Sequence, residues 1–147
     1  MKKMKYLVAG LLMMGLSVPV MAQNANYSDL LKPIEQTLKS NANLDAKGIK
    51  DLTKEYQKEF KKDPKALVAL GNTLLMSKKY DDASAIANMV ITKFKNYGDA
   101  YILLGDISAM KDDGGDAAMW YQQSMTMDPK HPNGYMRYAN VYRKRSP

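Results

Sequence analysis

The chain repeats its own pattern every 34 residues. Leu67, Tyr101 and Tyr135 stand 34 apart, as do Leu70, Leu104 and Tyr138, then Gly71, Gly105 and Ala139, and, one helix later, Ala83 and Ala117. A period of this length belongs to a unit that cannot bury its apolar face alone and stacks on a neighbour to do so. Within each unit the large residues recur at three- and four-residue steps, the spacing of a helix face. Such a chain is built from stacked helices and is suited to presenting a surface.

The residues that recur carry more detail. Leu67-Val68-Ala69-Leu70-Gly71 with Tyr80-Asp81-Asp82-Ala83 is followed by Tyr101-Ile102-Leu103-Leu104-Gly105 with Asp116-Ala117 and Asp128-Pro129. A large residue, Leu-Gly, a small Ala after a turn and a late Asp-Pro at these offsets resemble the tetratricopeptide repeat, over residues 64 to 131 and again over 132 to 145. The resemblance implies an all-α fold of helix-turn-helix repeats stacked as a right-handed superhelix, an α-solenoid. It divides the chain into a leader and degenerate helix pair at 23–62, repeat 1 at 63–97, repeat 2 at 98–131 and a partial repeat 3 at 132–147. The third repeat starts a helix with Tyr135, Tyr138, Ala139 and Tyr142 on one stripe and supplies no second helix, so a fragment of a longer protein is expected, the alternative being a partner that supplies the cover.

Residues 1 to 22 read as a signal peptide. Lys2, Lys3 and Lys5 make a basic start, Leu7 to Val20 is mostly apolar, and Val20-Met21-Ala22 suits cleavage before Gln23. An apolar run of about 14 residues falls short of the roughly 20 that a spanning helix needs. The mature chain therefore carries no spanning segment, and the expected destination is the bacterial periplasm or the outer membrane. With no Cys in the chain, lipid attachment at a cleavage-point cysteine is closed, and the composition fits an oxidising compartment. Positions 1 to 22 hold three Lys and no acid, so removing them lowers the formal charge from +7 to +4. The remaining cations alternate with acids, as in Lys47, Lys50, Asp51, Lys54, Glu55, Lys58 and Glu59, a solvated helix face and not a nucleic-acid stripe.

Seven helices and no strands are expected. Ser28 can cap the first, running to about Ser40, with Pro33 either bending it or marking its first turn. A second runs from about Asp45 to Lys62 with Ile49, Leu52, Tyr56 and Phe60 inward. The others are placed at about 65–77, 80–93, 99–110, 116–127 and 133–144. Ser77-Lys78-Lys79 makes one turn, and Lys111 to Gly115 a looser, acidic one. Gly71 and Gly105 leave room for the partner helix of their own repeat, and Ala83 and Ala117 let the second helix come close.

No catalytic constellation emerges. A single His, His131, and no Cys exclude structural zinc and Cys-His chemistry on inventory. His131 lies between Pro129 and Pro132 and is read as an exposed turn residue. Asp112-Asp113 lacks the alternating ligands and closing Glu of a calcium loop. Trp120 and Tyr121 are adjacent, hence about 100° apart on a helix; the resemblance implies a buried aromatic four residues after Ala117, which is Tyr121, and leaves Trp120 nearer the edge. The methionines serve first as core filler. The chain is read as a non-enzyme with no cofactor.

What the resemblance implies for binding is a concave face lined by the first helix of each repeat, where extended peptides lie. Carried over by register, Asn72, Asp106 and Asn140 form one row, Val68, Ile102 and Met136 a second, and Met76, Met110 and Lys144 a third, with Lys65, Asp99 and Asn133 at the opposite rim. Partner-binding candidates are Val68, Asn72, Met76, Ile102, Asp106, Met110, Met136 and Asn140. The family's two-carboxylate clamp asks for cations and amides that Val68, Leu103 and Asn133 do not supply; only Asn72 and Arg137 match. The face is neutral to mildly acidic in the first two repeats and basic at Arg137, Arg143, Lys144 and Arg145. These positions are left free by packing, so changing Asn72 and Asp106 together to Ala is expected to alter stability by no more than about 1 kcal/mol. The function expected is an exported, non-catalytic scaffold that holds a protein or extended peptide. The alternative is a glycan- or peptidoglycan-recognition module of a longer exported protein, with Trp120 and the tyrosines as stacking surfaces.

Overall fold

The sequence period reappears as a period of helix starts. The computed structural model describes residues 26–145. Among them lie seven α-helices and no strand: α1 (Tyr27–Ser40), α2 (Ala46–Glu59), α3 (Pro64–Met76), α4 (Tyr80–Lys93), α5 (Gly98–Met110), α6 (Gly114–Met127) and α7 (Pro132–Arg145). The helices α2, α4 and α6 begin at residues 46, 80 and 114, and α3, α5 and α7 at 64, 98 and 132, so each series advances by 34. The expected signal segment, 1 to 22, lies outside the described residues.

Local chemistry explains the shared register. Asp45, Lys79 and Asp113 are the N-caps of α2, α4 and α6. Asp45 Oδ1 accepts the Gly48 N–H at 2.6 Å and Asp113 Oδ1 accepts the Asp116 N–H at 3.0 Å, each satisfying an orphan donor of the first turn. The turns between paired helices also match. Lys78 and Asp112, again 34 apart, hold φ of 59° and 61°. Beyond them the Lys79 N–H donates to Leu74 O at 2.9 Å and the Asp113 N–H to Ser108 O at 2.8 Å, the same six-residue closure in both repeats. The acidic turn is therefore as tight as its counterpart. Gly114 and Gly115, expected in that turn, are the first residues of α6 instead, because Asp112 takes the left-handed position and Asp113 caps the helix.

A side-chain bond repeats as well. Tyr101 Oη donates to Lys95 O at 2.9 Å, and Tyr135 Oη to Pro129 O at 3.0 Å, tying each first helix to the turn before it. At the start of the chain the register weakens. Asn26, not Ser28, caps α1, accepting the Ser28 N–H at 3.1 Å. Pro33 lies inside that helix, and α1 begins at residue 27 where the period would place it at 30. Helix α2 ends at Glu59, short of the expected Lys62, with Phe60 as its C-cap.

The chain packs as two compact units, one up to Ala66 and one from Leu67 onward. In the first, α1 and α2 contact each other and bury Leu31, Ile34, Leu38, Ile49, Leu52 and Tyr56. The Tyr56 hydroxyl is satisfied by Ala66 O at 2.7 Å.

In the second unit, α4 packs on α5, α5 on α6, and α7 on both α5 and α6. Ala83 and Ala117 are fully buried, as their place at close helix contacts requires. A Cβ at Gly105 would overlap the ring of Tyr121 in the same repeat, whereas one at Gly71 would overlap Leu103 of the next repeat before it met Ile86 of its own. Gly71 thus serves the contact between repeats. Ile102, Ala117 and Tyr121 form a buried cluster against which Tyr138 and Val141 of α7 pack.

Candidate functional site

A groove of about 710 Å³ opens in the second unit, walled by α3, α5 and α7 and floored by Tyr121 of α6. The common register of the three first helices puts Asn72, Asp106 and Asn140 at one helical position, and all three line it. Met76 and Met110, one turn further along α3 and α5, line it too, exposed by 78% and 45%. Five of the eight sequence candidates therefore come together. The other three do not: Val68 and Ile102 are buried at 6% exposure each, Ile102 within the cluster that includes Ala117 and Tyr121, and Met136 is exposed outside the groove. The reason is a helix packed on more than one side, where one apolar row is drawn into the core.

Asp106 organises the floor. Its Oδ1 accepts the Tyr121 hydroxyl at 2.6 Å and lies 3.3 Å from Arg137 Nε. The carboxylate side chain is 22% exposed. Burial pushes its pKa up from the ordinary value; the Tyr121 hydrogen bond and the Arg137 charge pull the other way, and Asp99 adds a smaller push upward. Burial and the Asp106 carboxylate likewise push the Tyr121 hydroxyl well above the usual phenol range, so it remains a donor. The expectation that packing leaves Asp106 free is overturned here, because it accepts the hydroxyl of a buried tyrosine. The sequence identified Tyr121 as buried. It gave no signal that the hydroxyl reaches the groove.

Helix α7 brings the cations. Arg137, Arg143 and Lys144 line the groove together with the two methionines, and Arg143 Nη2 donates to Asn140 Oδ1 at 2.9 Å. Trp120 is half-buried, in agreement with its expected place near an edge.

His131 is not the exposed turn residue expected. Its side chain is 19% exposed and its Nε2 lies 2.6 Å from Asp99 Oδ1. Its Nδ1 accepts the Asn133 N–H at 3.3 Å, which places the proton on Nε2, facing the carboxylate. Both ring nitrogens are thus engaged, one capping α7 and the other binding α5. Neither is left to act on a substrate in this arrangement. Among the described residues no group of three or more His, Cys, Asp or Glu side chains could hold a metal ion, and no helix is long and apolar enough to cross a membrane. No protein-family model matches the chain, and no curated protein matches it.

Proposed function

We propose that this protein is a non-catalytic, exported interaction scaffold of the tetratricopeptide type, its repeats wound as a right-handed superhelix, and that it holds a protein partner as an extended segment in the groove between α3, α5 and α7. One observation carries the reading: residues taken from the repeat resemblance and its 34-residue register, Asn72, Asp106 and Asn140 with Met76 and Met110, line a single cavity. Amides that can bond a peptide backbone stand there beside exposed thioethers, which adapt to varied apolar side chains. The basic, apolar and small-residue pattern of residues 1 to 22 supports export to the periplasm or outer membrane.

The test is a pull-down from a periplasmic extract, with and without added peptidoglycan fragments. A scaffold retains a protein that the glycan does not displace and that a Met76→Lys, Met110→Lys variant fails to retain. Retention by that variant equal to the wild type, or displacement by glycan, counts against the proposal.

A further inference from the structure

We infer that the groove selects an extended peptide segment that sets acidic side chains beside apolar ones, with the carboxylates against α7 and the apolar side chains against Met76 and Met110. This deepens the partner-binding reading above and rests on it.

The repeat register itself exposes the bias. Two groove-lining registers change character in the third repeat, Leu75 and Ala109 being followed by Arg143 and Met76 and Met110 by Lys144, and Arg137 joins the lining from a register whose earlier members, Ala69 and Leu103, do not line it. All three cations line the groove, and Asp106 is the one acid among its lining residues. That acid is already matched by Arg137 at 3.3 Å. Two positive charges, on Arg143 and Lys144, are left for a ligand.

Solvation of a peripheral helix does not account for this placement. If the cations of α7 served only to make the helix soluble, they would stand where it meets water outside the groove. Instead that surface carries Tyr135, Met136 and Tyr142, exposed by 45%, 61% and 64%. Those apolar side chains stand outside the groove lining, whereas the three cations, themselves exposed to solvent, belong to it. In the first two repeats Met76 and Met110 supply apolar lining instead. A charge-complementary partner therefore carries carboxylates at one side of its backbone path and apolar groups at the other.

The probes are three short peptides, acetylated at one end and amidated at the other, that share the same leucines and carry Glu, Gln or Lys between them. Binding to the full chain is followed by fluorescence anisotropy at low and physiological salt. The Glu peptide should bind about tenfold or more tightly than the Gln peptide, and the preference should shrink with salt. It should vanish in Arg143→Glu, Lys144→Glu and fall by a smaller factor in Arg143→Gln, Lys144→Gln, a pair whose milder change guards against misfolding. Equal binding of Glu and Gln peptides, still lost in Met76→Lys, Met110→Lys, would overturn the acidic preference and leave the groove reading standing. A Gln peptide with a free carboxyl end that matches the Glu peptide would overturn the assignment to side chains. Tighter binding of alginate than of the Glu peptide would overturn the choice of a protein ligand, and binding of none of the peptides would overturn the inference together with the groove reading.

Discussion

The Tyr121 hydroxyl reaches Asp106 at 2.6 Å because the residue before that aspartate, Gly105, has no side chain to hold the ring away. A repeat position usually read as packing thus also sets the chemistry of the groove floor. The small residue admits the ring, the ring carries the hydroxyl, and the hydroxyl fixes the carboxylate that Arg137 faces.

Removing the carboxylate should therefore cost stability. Asp106→Ala leaves the buried Tyr121 hydroxyl without its acceptor, at about 1–3 kcal/mol, while Asp106→Asn keeps an acceptor and should cost about 1 kcal/mol or less at neutral pH. Asn72→Ala, an exposed change, should be silent. Chemical denaturation of the three variants checks the order, and an Asp106→Ala melt equal to the wild type would contradict it.

Gly105→Ala and Gly71→Ala should differ. The first drives a methyl into an aromatic ring, which cannot bend aside, and the second into the end of the flexible Leu103 side chain. Overpacking of about 1–3 kcal/mol is expected at Gly105, and a smaller loss at Gly71, where the helix preference for Ala offsets part of it. Thermal melts of the pair give the comparison.

Lys78 and Asp112 sit in the left-handed region without being glycine. A Cβ there costs roughly 1–2 kcal/mol, partly offset by the greater freedom that glycine has in the unfolded chain. Lys78→Gly should raise stability by about 0.5–1 kcal/mol, and Asp112→Gly should do the same. A fall in the melting temperature of Lys78→Gly would mean that its backbone is not strained.

Alkaline pH should loosen the fold. Burial raises the pKa of Tyr56 and Tyr121 above their ordinary value of 10.0, with the Asp106 carboxylate adding to the effect at Tyr121. Unfolded phenols ionise near 10 while these two stay protonated, so the unfolded chain binds fewer protons and stability falls as pH rises past that value. The contribution is fully present below it. Tyr121→Phe should start from a lower stability at neutral pH and show a shallower alkaline decline, as measured by denaturant midpoints across the range.

Much of this was legible in the sequence because a repeat writes its architecture several times. The start and end of α4 follow from residues 80 and 93 directly, Ala83 and Ala117 were placed by register, and Tyr121 by the repeat resemblance. Where the register is broken, reading fails. Asn26 replaces Ser28 as cap of α1, since the Asn26 side-chain oxygen accepts both the N–H and the hydroxyl of Ser28 and starts the helix earlier. Gly114 and Gly115 suggest a loose turn, yet Asp113 captures the Asp116 N–H and starts the helix early. In the groove, Asn72, Asp106 and Asn140 were visible because the period aligns them and the repeat resemblance points to that face. Val68 and Ile102 were misjudged because burial depends on how many neighbours a helix has, and His131 because its partner Asp99 lies 32 residues away.

Site-specific photo-crosslinking in the producing cell tests the central claim most directly. A photoreactive residue at Asn72 or Asn140, both exposed in the groove, should capture a protein partner, and one at Lys93, exposed on α4 outside the groove, should not. Capture from Lys93 as strong as from Asn72 and Asn140, or from Lys93 alone, would contradict the account of the groove as the partner-binding surface.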